Sequence, residues 1–363
     1  MKVIQIHQTV AKHDAIGNDI EKVAEVCSIN HESYVFADNM FNEKLVYISE
    51  EQLLTYIQQE NNLLIYHHSV FWDKGEKILD KAKCKIMIKY HNITPETFFE
   101  GYHQHHYEQC KFGRAQTLSI ARKYDVLWMC DSLYNSLDIS EIVDQNRICI
   151  VPPFNKIEEW CHKTPEEKLL SKLMNSKEIN LLFVGRVAPN KNHLFLLDIL
   201  RSYIGNYNEN VILRIIGKMD KDLEKYNNEL TAYIEKYALY ENVEFIGEVN
   251  EQKLLSYYLG SDIFLCASEH EGFCVPLLES QYFMLPVIAK STSAVTDTMG
   301  NNQILLGEDE KEYSSAIHLL YGKQAARHLV RIKGKENYNI RFTNDLIKNK
   351  FIHSLKEKMG III

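Results

Sequence analysis

Two glutamates, Glu271 and Glu279, stand with seven residues between them in the stretch SEHEGFCVPLLES (268–280). The stretch follows a short apolar run and leads into a segment of helical period that begins near Cys274. Carboxylates near a helix N-terminus suit the hydroxyls of a sugar and a ribose, and the free amides there suit phosphate. Gly272 would let the backbone approach such a ligand closely. The alternative is that one glutamate is a first-turn acid and the other a surface residue.

Two cations lie in a second stretch, FVGRVAPNKN (183–192). An apolar strand ends at Gly185, and a helix is predicted from about Asn192. Arg186 and Lys191 therefore share one strand-to-helix loop, at the sheet edge that also receives Glu271. Two fixed cations beside a helix start can neutralise a diphosphate without metal, since Arg offers a planar fork and Lys a point charge.

The elements that position these loops follow a regular alternation of short apolar runs and helical segments. In the first half we predict the strands Val3–Ile6, Ser33–Phe36, Leu63–Tyr66, Lys85–Tyr90, Asp125–Cys130 and Arg147–Val151. Between them lie predicted helices near 18–29, 50–60, 73–80, 109–123 and 132–140. Strands separated by one helix each predict right-handed βαβ units and a mostly parallel sheet.

The pattern stops at VPPF (151–154), because two prolines interrupt both helix and ladder, and it restarts at Asn180. The second half predicts the strands Leu181–Val184, Val211–Ile216, Val243–Ile246, Asp262–Cys266 and Pro286–Ala289. Its predicted helices lie near 192–203, 222–237, 250–259 and 274–284. The sequence thus predicts an α/β protein with two doubly wound domains, and ligands of such domains bind beyond the carboxyl ends of the strands. The cleft between the domains is the default site.

Composition excludes several classes of protein. The 363 residues are 45% hydrophobic and 25% charged, as in an average soluble chain, and suggest two domains. A formal charge of −8 disfavours a nucleic-acid binder held by bulk charge. The sequence contains no G-x-G-x-x-G, no P-loop motif and no C-x-x-C pair. It shows neither a signal-peptide apolar core nor a spanning segment, so we expect a cytoplasmic protein.

A basic segment stands out near the C-terminus. Residues 323–358 contain ten Lys and Arg against three Asp and Glu. Such a segment on an acidic body could contact anionic lipid at the inner face of the cytoplasmic membrane. A solvated helix face is the simpler interpretation.

Taken together, the two chemical stretches resemble the retaining nucleotide-sugar glycosyltransferases of the GT-B fold, in glycosyltransferase family 4 (glycosyl transferases group 1). That family carries G-R-(x)n-K followed by E-G-F-x-x-P-x-x-E and P-V-I-A. The corresponding residues here are Gly185–Arg186, Lys191, Glu271–Gly272–Phe273, Pro276, Glu279 and Pro286–Ala289. The resemblance is strong over 180–300. Over 1–155 it rests on KYHNITP (89–95) and DSLYNSLDI (131–139).

The resemblance implies a role for each matching residue in the second domain. Arg186 and Lys191 would hold the donor diphosphate, Glu271 the transferred sugar and Glu279 the ribose. The remaining donor-binding positions would supply backbone amides, close approach or contacts bordering the base: Gly185, Gly217, Val249, Leu254, Gly272, Phe273 and Cys274.

In the first domain, the resemblance matches His91 to a family histidine close to the donor sugar; a satisfied loop histidine is the alternative. The family often has a Gly-Gly pair in its N-terminal loop, whereas this sequence reads HDAIGND (13–19) with only Gly17. Asp14, Gly17 and Asn18 are therefore assigned to this loop, where Asp14 or Asn18 could meet the acceptor.

The implied organisation is an acceptor-binding domain at 1–155, a linker at 156–179 and a nucleotide-sugar-binding domain at 180–340. A C-terminal helix at 341–363 could pack back on the first domain, and the two domains would face a cleft. The implied reaction moves a mannose-type or glucose-type hexose from a GDP- or UDP-sugar to a hydroxyl of a glycan or polyprenyl-linked acceptor, in bacterial surface polysaccharide biosynthesis.

Neither metal nor another cofactor is expected. Asp220-Lys221-Asp222 has the form of the D-x-D metal motif, but acids at a helix start explain it better. The cluster His103, His105, His106 and Cys110 fits no standard metal spacing. Two other functions stay open: a nucleotide-sugar 2-epimerase of the same architecture, and a non-catalytic sugar-nucleotide-binding partner.

Overall fold

The computed structural model describes residues 1–11, 14–208 and 210–363. They form two compact units. Unit 1 comprises residues 1–97, 105–156 and 343–363, and unit 2 comprises residues 98–104 and 157–342. The domain bounds of the sequence analysis stay a proposal for how function is divided along the chain.

Unit 1 is built on a parallel sheet. Its strands are β1 (Lys2–Val10), β2 (Glu32–Met40), β3 (Leu63–His68), β4 (Lys85–Tyr90), β5 (Leu127–Cys130) and β6 (Ile148–Ile150). Their order across the sheet is β2-β1-β3-β4-β5-β6, and every pairing is parallel. Strands β3 and β5 are buried along their whole length, as expected for a sheet covered by helices on both faces.

The helices of unit 1 cover both faces of this sheet. They are α1 (Ala15–Cys27), α2 (Glu50–Tyr56), α3 (Asp73–Lys81), α4 (Gln104–Lys123), α5 (Leu133–Leu137) and α14 (Asn344–Met359). Short 3-10 helices lie at Glu96–Phe99 and Gln145–Arg147. Helix α14 returns from the end of the chain and buries Ile347, Phe351 and Leu355 in the same hydrophobic cluster as Val3 and Met129.

Unit 2 is also built on a six-stranded parallel sheet. Its strands are β7 (Ile179–Val184), β8 (Val211–Ile216), β9 (Val243–Gly247), β10 (Ile263–Cys266), β11 (Val287–Lys290) and β12 (Ile304–Leu306). They pair in parallel in the order β12-β11-β10-β7-β8-β9. Strands β7 and β10 are neighbours in this sheet, so the loops that follow them leave the same edge side by side.

The helices of unit 2 are α6 (Glu167–Met174), α7 (His193–Asn206), α8 (Glu224–Lys236), α9 (Glu251–Gly260), α10 (Val275–Tyr282), α11 (Val295–Met299), α12 (Glu310–Gly322) and α13 (Gln324–Arg341). Short 3-10 helices lie at Ile157–His162, Pro189–Lys191 and Lys221–Leu223. Residues 98–104 belong to this unit as well. Tyr102 donates to Glu229 on α8 at 2.8 Å, and the ring of Phe98 lies 6.3 Å from that of His270.

The prediction of an α/β protein with two doubly wound parallel sheets is confirmed. Each predicted strand is present, and β4 and β8 have the predicted bounds. Strand β12 was not predicted, because its three residues are all half-buried and too few to show a period.

Three cations of the basic segment 323–358 bond to other parts of unit 2. On α13, Arg331 donates to the carbonyl of Met284 at 2.6 Å, and Lys335 donates to that of Tyr282 at 3.0 Å. Arg341 forms an ion pair with Asp297 at 2.9 Å. These contacts favour a structural role for the cations of α13. Within the described ranges, no helix is long and apolar enough to cross a membrane.

Candidate functional site

The loops after β7 and β10 are bonded to each other through Asn190. Its carbonyl accepts from the amides of Glu269 at 2.9 Å and His270 at 3.3 Å, and its side-chain amide donates to the carbonyl of His270 at 3.3 Å. Asn190 is buried, so these bonds are shielded from water. The two stretches singled out in the sequence therefore form one rigid edge of the unit 2 sheet.

Lys191 and Glu271 meet at this edge. Lys191 Nζ lies 2.6 Å from Glu271 Oε1, and both side chains are mostly buried. Burial alone would lower the pKa of Lys191, but the carboxylate of Glu271 raises it above the ordinary value, so the lysine is charged. The backbone of Glu271 is fixed in turn, because its amide donates to Ser293 Oγ at 3.0 Å. The Lys191–Glu271 pair is therefore held in place before a ligand binds.

Arg186 lies in the same loop and is more accessible. Its side chain is 46% exposed, and its guanidinium lies 3.7 Å from Asp220 Oδ2. That separation is too long for a strong bidentate pair. Arg186 therefore keeps donors available for an anionic ligand.

Two glycines let the ends of β7 and β8 approach each other. A Cβ atom on Gly217 would lie 2.1 Å from the carbonyl oxygen of Gly185, and Gly217 has φ +145°. The amide of Gly185 donates to the carbonyl of Ile216 at 2.8 Å. Both residues therefore shape the edge through their lack of a side chain.

Helix α10 begins at the end of the Glu271 loop. Cys274 precedes it with φ +74° and makes no side-chain cap hydrogen bond. Thr298 Oγ1 donates to the carbonyl of Phe273 at 2.6 Å, and the ring of Phe273 packs in a core cluster with Phe342. Phe273 can therefore offer a ligand only its backbone, next to the half-buried Gly272.

Glu279 lies one turn into α10 and is bonded to the hydroxyl of Tyr258. Burial raises the pKa of Glu279 to about 7, although the hydroxyl of Tyr258 acts in the opposite direction. The buried tyrosine holds the carboxyl group in one orientation. At neutral pH Glu279 is thus poised between its neutral and charged forms.

Val249 and Leu254 lie on either side of the start of α9. Both are half-buried and pack against the core cluster that contains Cys266. They present apolar surface near the end of β9, the outermost strand of this sheet.

Several polar residues support this edge and were not singled out in the sequence. Asn192, with φ +51°, caps α7 through Phe195 N at 3.3 Å and donates to Glu269 Oε1 at 2.7 Å. Lys290, buried at the end of β11, lies 2.5 Å from the same oxygen of Glu269. Isolated polar residues in loops carry no spacing signal, which is why sequence reasoning missed them.

In unit 1, His91 follows β4 and has both ring nitrogens engaged. Its Nδ1 lies 2.7 Å from Asp131 Oδ2, and its Nε2 lies 2.9 Å from Nδ1 of His67 at the end of β3. Lys89 Nζ lies 2.6 Å from Asp131 Oδ1 and donates to the carbonyl of Val151 at 2.7 Å. Burial would raise the pKa of Asp131, yet His91 and Lys89 hold it below its ordinary value.

Asp19 on α1 completes this cluster and is fully buried. Its Oδ1 accepts from the amide of Phe154 at 2.7 Å, whereas its Oδ2 has no hydrogen-bond partner among the described residues. That oxygen lies 3.8, 3.9 and 4.0 Å from nitrogens of His67, His91 and Lys89. Burial raises the pKa of Asp19, and the nearby cations partly offset this effect.

The N-terminal loop residues converge at the start of α1. Asp14 Oδ1 accepts from the amide of Gly17 at 2.5 Å, and the amide of Asn18 donates to the carbonyl of Asp14 at 3.0 Å. A Cβ atom on Gly17 would lie 2.0 Å from the carbonyl oxygen of Ala11. Burial raises the pKa of Asp14. Residue 13, which opens the motif, lies outside the described residues.

Neither sequence candidate for metal binding forms a donor cluster within the described ranges. Asp220 Oδ1 instead accepts from the amide of Asp222 at 3.2 Å and caps the short helix at Lys221–Leu223. His105 and His106 contact each other edge to face at the start of α4. The described residues do contain two other donor groups: Asp19, His67 and His91, and Cys266, Glu271 and Cys274.

The structure therefore brings most of the predicted donor residues to one edge of unit 2 and places His91 in unit 1. The sequence motifs contained further members of the His91 cluster that were not assigned a role. Asp19 ends the HDAIGND motif, Asp131 opens DSLYNSLDI, and His67 belongs to a histidine pair at the end of a strand. A polar residue where a buried strand ends was the available signal.

Comparison with known proteins identifies the family. Residues 166–337 match the family described as glycosyl transferases group 1. This segment of the chain matches that family, so the resemblance to glycosyl transferases group 1 found in the sequence is confirmed. The retaining mechanism and the assignment to family 4 stay proposals. The segment contains the Lys191–Glu271 pair, Arg186 and Glu279.

Curated relatives are involved in surface polysaccharides. The capsular polysaccharide biosynthesis glycosyltransferase CapH of Staphylococcus aureus is 28% identical over 191 residues, which are 52% of each chain. The O-antigen biosynthesis glycosyltransferase WclY of Escherichia coli is 24% identical over 280 residues, 76% of this chain and 72% of that protein. The match with CapH spans about half of that relative's length.

Solved structures show the same fold. The structure of Anabaena Alr3699/HepE in complex with UDP and glucose superposes with a TM-score of 0.79 at 14% identity, over 98% of this chain and 100% of that one. The GT-B class of this fold, inferred from sequence motifs, is thereby confirmed. At this level of identity the likeness concerns the fold alone.

Proposed function

We propose that this protein is a retaining glycosyltransferase that moves a hexose from a nucleotide diphosphate sugar to a hydroxyl of a glycan or lipid-linked acceptor. The observation that carries the proposal is the mostly buried Lys191–Glu271 pair at 2.6 Å, whose two loops also contain Arg186 and lead into α10. Cation and helix start at one sheet edge suit the diphosphate of such a donor, and the carboxylate suits the hydroxyls of its sugar. Membership of residues 166–337 in the glycosyl transferases group 1 family supports this reading.

In this proposal, Arg186 and Lys191 offset the charge that develops on the departing diphosphate. Lys191 is held by Glu271 before any ligand arrives, so little reorganisation is needed during the reaction. Arg186 is half-exposed and would complete the grip when the donor binds. Gly185 and Gly217 leave room for the diphosphate at the strand ends.

Glu271 would contact hydroxyls of the transferred sugar, and Glu279 the ribose. A carboxyl group with a pKa of about 7 both donates and accepts hydrogen bonds, which suits a pair of ribose hydroxyls. Gly272, Phe273 and Cys274 would give backbone amides to the sugar and phosphates. Val249 and Leu254 would border the base with apolar surface.

Unit 1 would bind the acceptor, with Asp14 and Asn18 at its N-terminal loop. His91 would have the role that the family resemblance implies for it, a contact with the donor sugar. Relatives named for capsular and O-antigen synthesis support a bacterial surface polysaccharide as product. We keep peripheral attachment to the inner face of the cytoplasmic membrane as a secondary proposal, because several cations of 323–358 are used within the fold.

The reaction would break the bond between the anomeric carbon and the diphosphate and form the new glycosidic bond on the same face of the sugar. Stabilisation of the leaving group by fixed charges would be the main source of rate. The proposal needs no metal for this step, because Arg186, Lys191 and the start of α10 already supply positive potential.

The deciding experiment incubates the protein with UDP-glucose, GDP-mannose and related donors and measures nucleotide release with and without a glycan acceptor. A transferase releases nucleotide only slowly until acceptor is added. Isomerised donor without acceptor would instead support a 2-epimerase. Binding without nucleotide release under any condition would support the non-catalytic sugar-nucleotide-binding partner.

The donor base can be fixed separately by a thermal-shift panel of UDP, GDP, ADP and their sugars. A ligand that binds only the folded state raises the melting temperature by mass action. One nucleotide that clearly exceeds the others would identify the base, and its sugar conjugates would then rank the hexose.

A further inference from the structure

The buried pair His67–His91 has more hydrogen-bond acceptors around it than two neutral imidazoles can serve. Gln5 Nε2 donates to the carbonyl of Ile20 at 3.1 Å, which fixes the orientation of the amide and leaves Gln5 Oε1 as an acceptor. That oxygen lies 2.8 Å from His67 Nε2. His67 must therefore carry a proton on Nε2.

The same reasoning applies to the other end of the pair. His91 Nδ1 lies 2.7 Å from Asp131 Oδ2, and the second oxygen of Asp131 accepts from Lys89. A carboxylate in this setting accepts only, so His91 carries a proton on Nδ1. Between the rings, His67 Nδ1 and His91 Nε2 lie 2.9 Å apart, a hydrogen-bond distance that requires one more proton. Three protons on four nitrogens make the pair a cation.

The charges around the pair favour the same count. Asp19 and Asp131 are buried, and among the described residues of this cluster Lys89 is the one ammonium beside them. Two charged carboxylates with neutral histidines would therefore leave one negative charge in the interior. One added proton makes the cluster neutral. Asp14, at the start of α1, adds further negative potential toward His91. His7 on β1 donates to the carbonyl of His67 at 2.8 Å, and burial lowers its pKa to about 4, so it stays neutral.

We propose that His67 and His91 share one proton, with His91 as a buried imidazolium and His67 as its neutral acceptor, and that His67 and Asp131 are positioning residues for His91. Between them they occupy both ring nitrogens of His91 and hold the ring at the carboxyl end of β4. The catalytic part of this inference rests on the proposed transferase function. A fixed cation at the carboxyl end of β4 would stabilise negative charge that develops on a substrate group bound beside it.

A divalent metal among Asp19, His67 and His91 is the competing explanation. Two ligands of a tetrahedral zinc, each at about 2.0–2.1 Å from the ion, lie about 3.3 Å from each other. The two histidine nitrogens are closer than that, at 2.9 Å. The ion would also stand near the ammonium of Lys89, which lies 4.0 Å from the same oxygen of Asp19. Distance and charge both favour the proton.

The shared proton is tested by nitrogen NMR of the full chain labelled with ¹⁵N-histidine, with resonances assigned through His67→Gln and His91→Gln. At about pH 8 a solvent-exposed histidine is neutral. We expect two protonated nitrogens on His91 and one on His67. Two neutral rings at this pH, or about one bound zinc per chain in elemental analysis, would overturn the inference.

The positioning role is tested by kinetics with His68→Gln as a matched control. His68 is as buried as His67, but its ring bonds Thr117 Oγ1 at 2.8 Å. Its hydrogen bond with His91 is made by the backbone carbonyl, at 3.0 Å from the amide of His91, and His68→Gln keeps it. We expect His67→Gln to lower kcat about tenfold or more with donor KM within about twofold, and His68→Gln to leave kcat within about twofold. Asp131→Asn should behave like His67→Gln.

Equal losses in the two histidine variants, in step with their melting temperatures, would show a merely structural role and overturn the positioning assignment. If the wild-type chain shows no turnover with any donor, the proposed function fails. The proton count on His67 and His91 is still decided by the NMR measurement in that case.

Discussion

Lys191 and Glu271 are separated by 80 positions in the chain and by 2.6 Å in the structure. Each follows a strand of the unit 2 sheet, and those strands, β7 and β10, are neighbours. The pairing is therefore a consequence of strand order. It places a charged lysine and a carboxylate in a mostly buried setting before any ligand binds, which is the arrangement that an electrostatic mechanism requires.

Replacement of either loop cation should cripple turnover. We expect Lys191→Ala or Arg186→Ala to lower kcat by about 10²–10³, because each removes one positive charge from the proposed diphosphate site. Lys221→Ala, an exposed lysine in the loop after β8, is the matched control and should keep kcat within about twofold. Initial rates of nucleotide release check this, and near wild-type kinetics in both loop variants would refute the assignment.

Gly217→Ala should destabilise the protein by at least about 2 kcal/mol, since the new Cβ would meet backbone at 2.1 Å in a left-handed conformation. Gly247→Ala is the control. That glycine also has a positive φ, of +77°, but no atom of the described residues lies within 4 Å of its added Cβ, so about 1 kcal/mol is expected. Urea denaturation measures both. Equal losses would mean that close approach of the strand ends is unimportant.

Much of this architecture could be predicted from the sequence. The hydrophobic periodicity, with the polar, Gly and Pro residues that end each apolar run, predicted the bounds of β4 and β8 correctly. It also predicted that Arg186, Lys191 and Glu271 lie at one sheet edge, because parallel strands end together. The family motifs implied a role for Glu279, whose type and spacing alone fit a surface residue equally well.

The supporting residues could not be predicted. Asn190 joins the two loops through hydrogen bonds of its backbone carbonyl, and the type of a residue does not predict such a contact. The His67–His91 pair depends on β3 and β4 being neighbours and on both side chains facing inward, which are properties of the sheet. Strand register is set by tertiary packing, which one sequence does not display.

Stability should depend on pH through Glu279. Burial raises its pKa from 4.5 to about 7, so the folded state prefers the protonated acid. The ligand-free protein should therefore lose stability relative to Glu279→Gln as pH rises from about 4.5 to about 7, by at most roughly 3 kcal/mol. Parallel denaturation curves at several pH values check this. A constant difference between the two proteins across that window would contradict a raised pKa.

Turnover should survive EDTA. In the proposed site the diphosphate would meet two cations and a helix start, and Asp220 is engaged in capping and with Arg186. Asp222→Asn should likewise retain activity within about twofold, since its exposed carboxylate has no part in the proposed chemistry. Loss of rate in chelator with recovery in Mg²⁺ or Mn²⁺ would reopen the D-x-D interpretation of 220–222.

Replacement of Glu271 and of Glu279 should change different kinetic parameters. Glu271 is proposed to grip the sugar, whose shape and charge change most during transfer, so Glu271→Ala should mainly lower kcat. Glu279 is proposed to hold the ribose, which changes little, so Glu279→Ala should mainly raise donor KM. The Gln variants separate charge from hydrogen bonding. Glu271→Gln should lower kcat as Glu271→Ala does, because Lys191 loses its carboxylate partner. Glu279→Gln should change the kinetics little, because the acid is partly neutral at pH 7.

Steady-state kinetics with varied donor give both parameters for all four variants. Thermal melts accompany them, because Glu271→Ala also leaves the ammonium of Lys191 mostly buried without a carboxylate partner. A loss of kcat that exceeds the change in folded fraction is the expected result for Glu271. Reversed behaviour of the two positions would exchange their roles. Unchanged kinetics at both would make the pair structural and remove the basis of the proposed donor site.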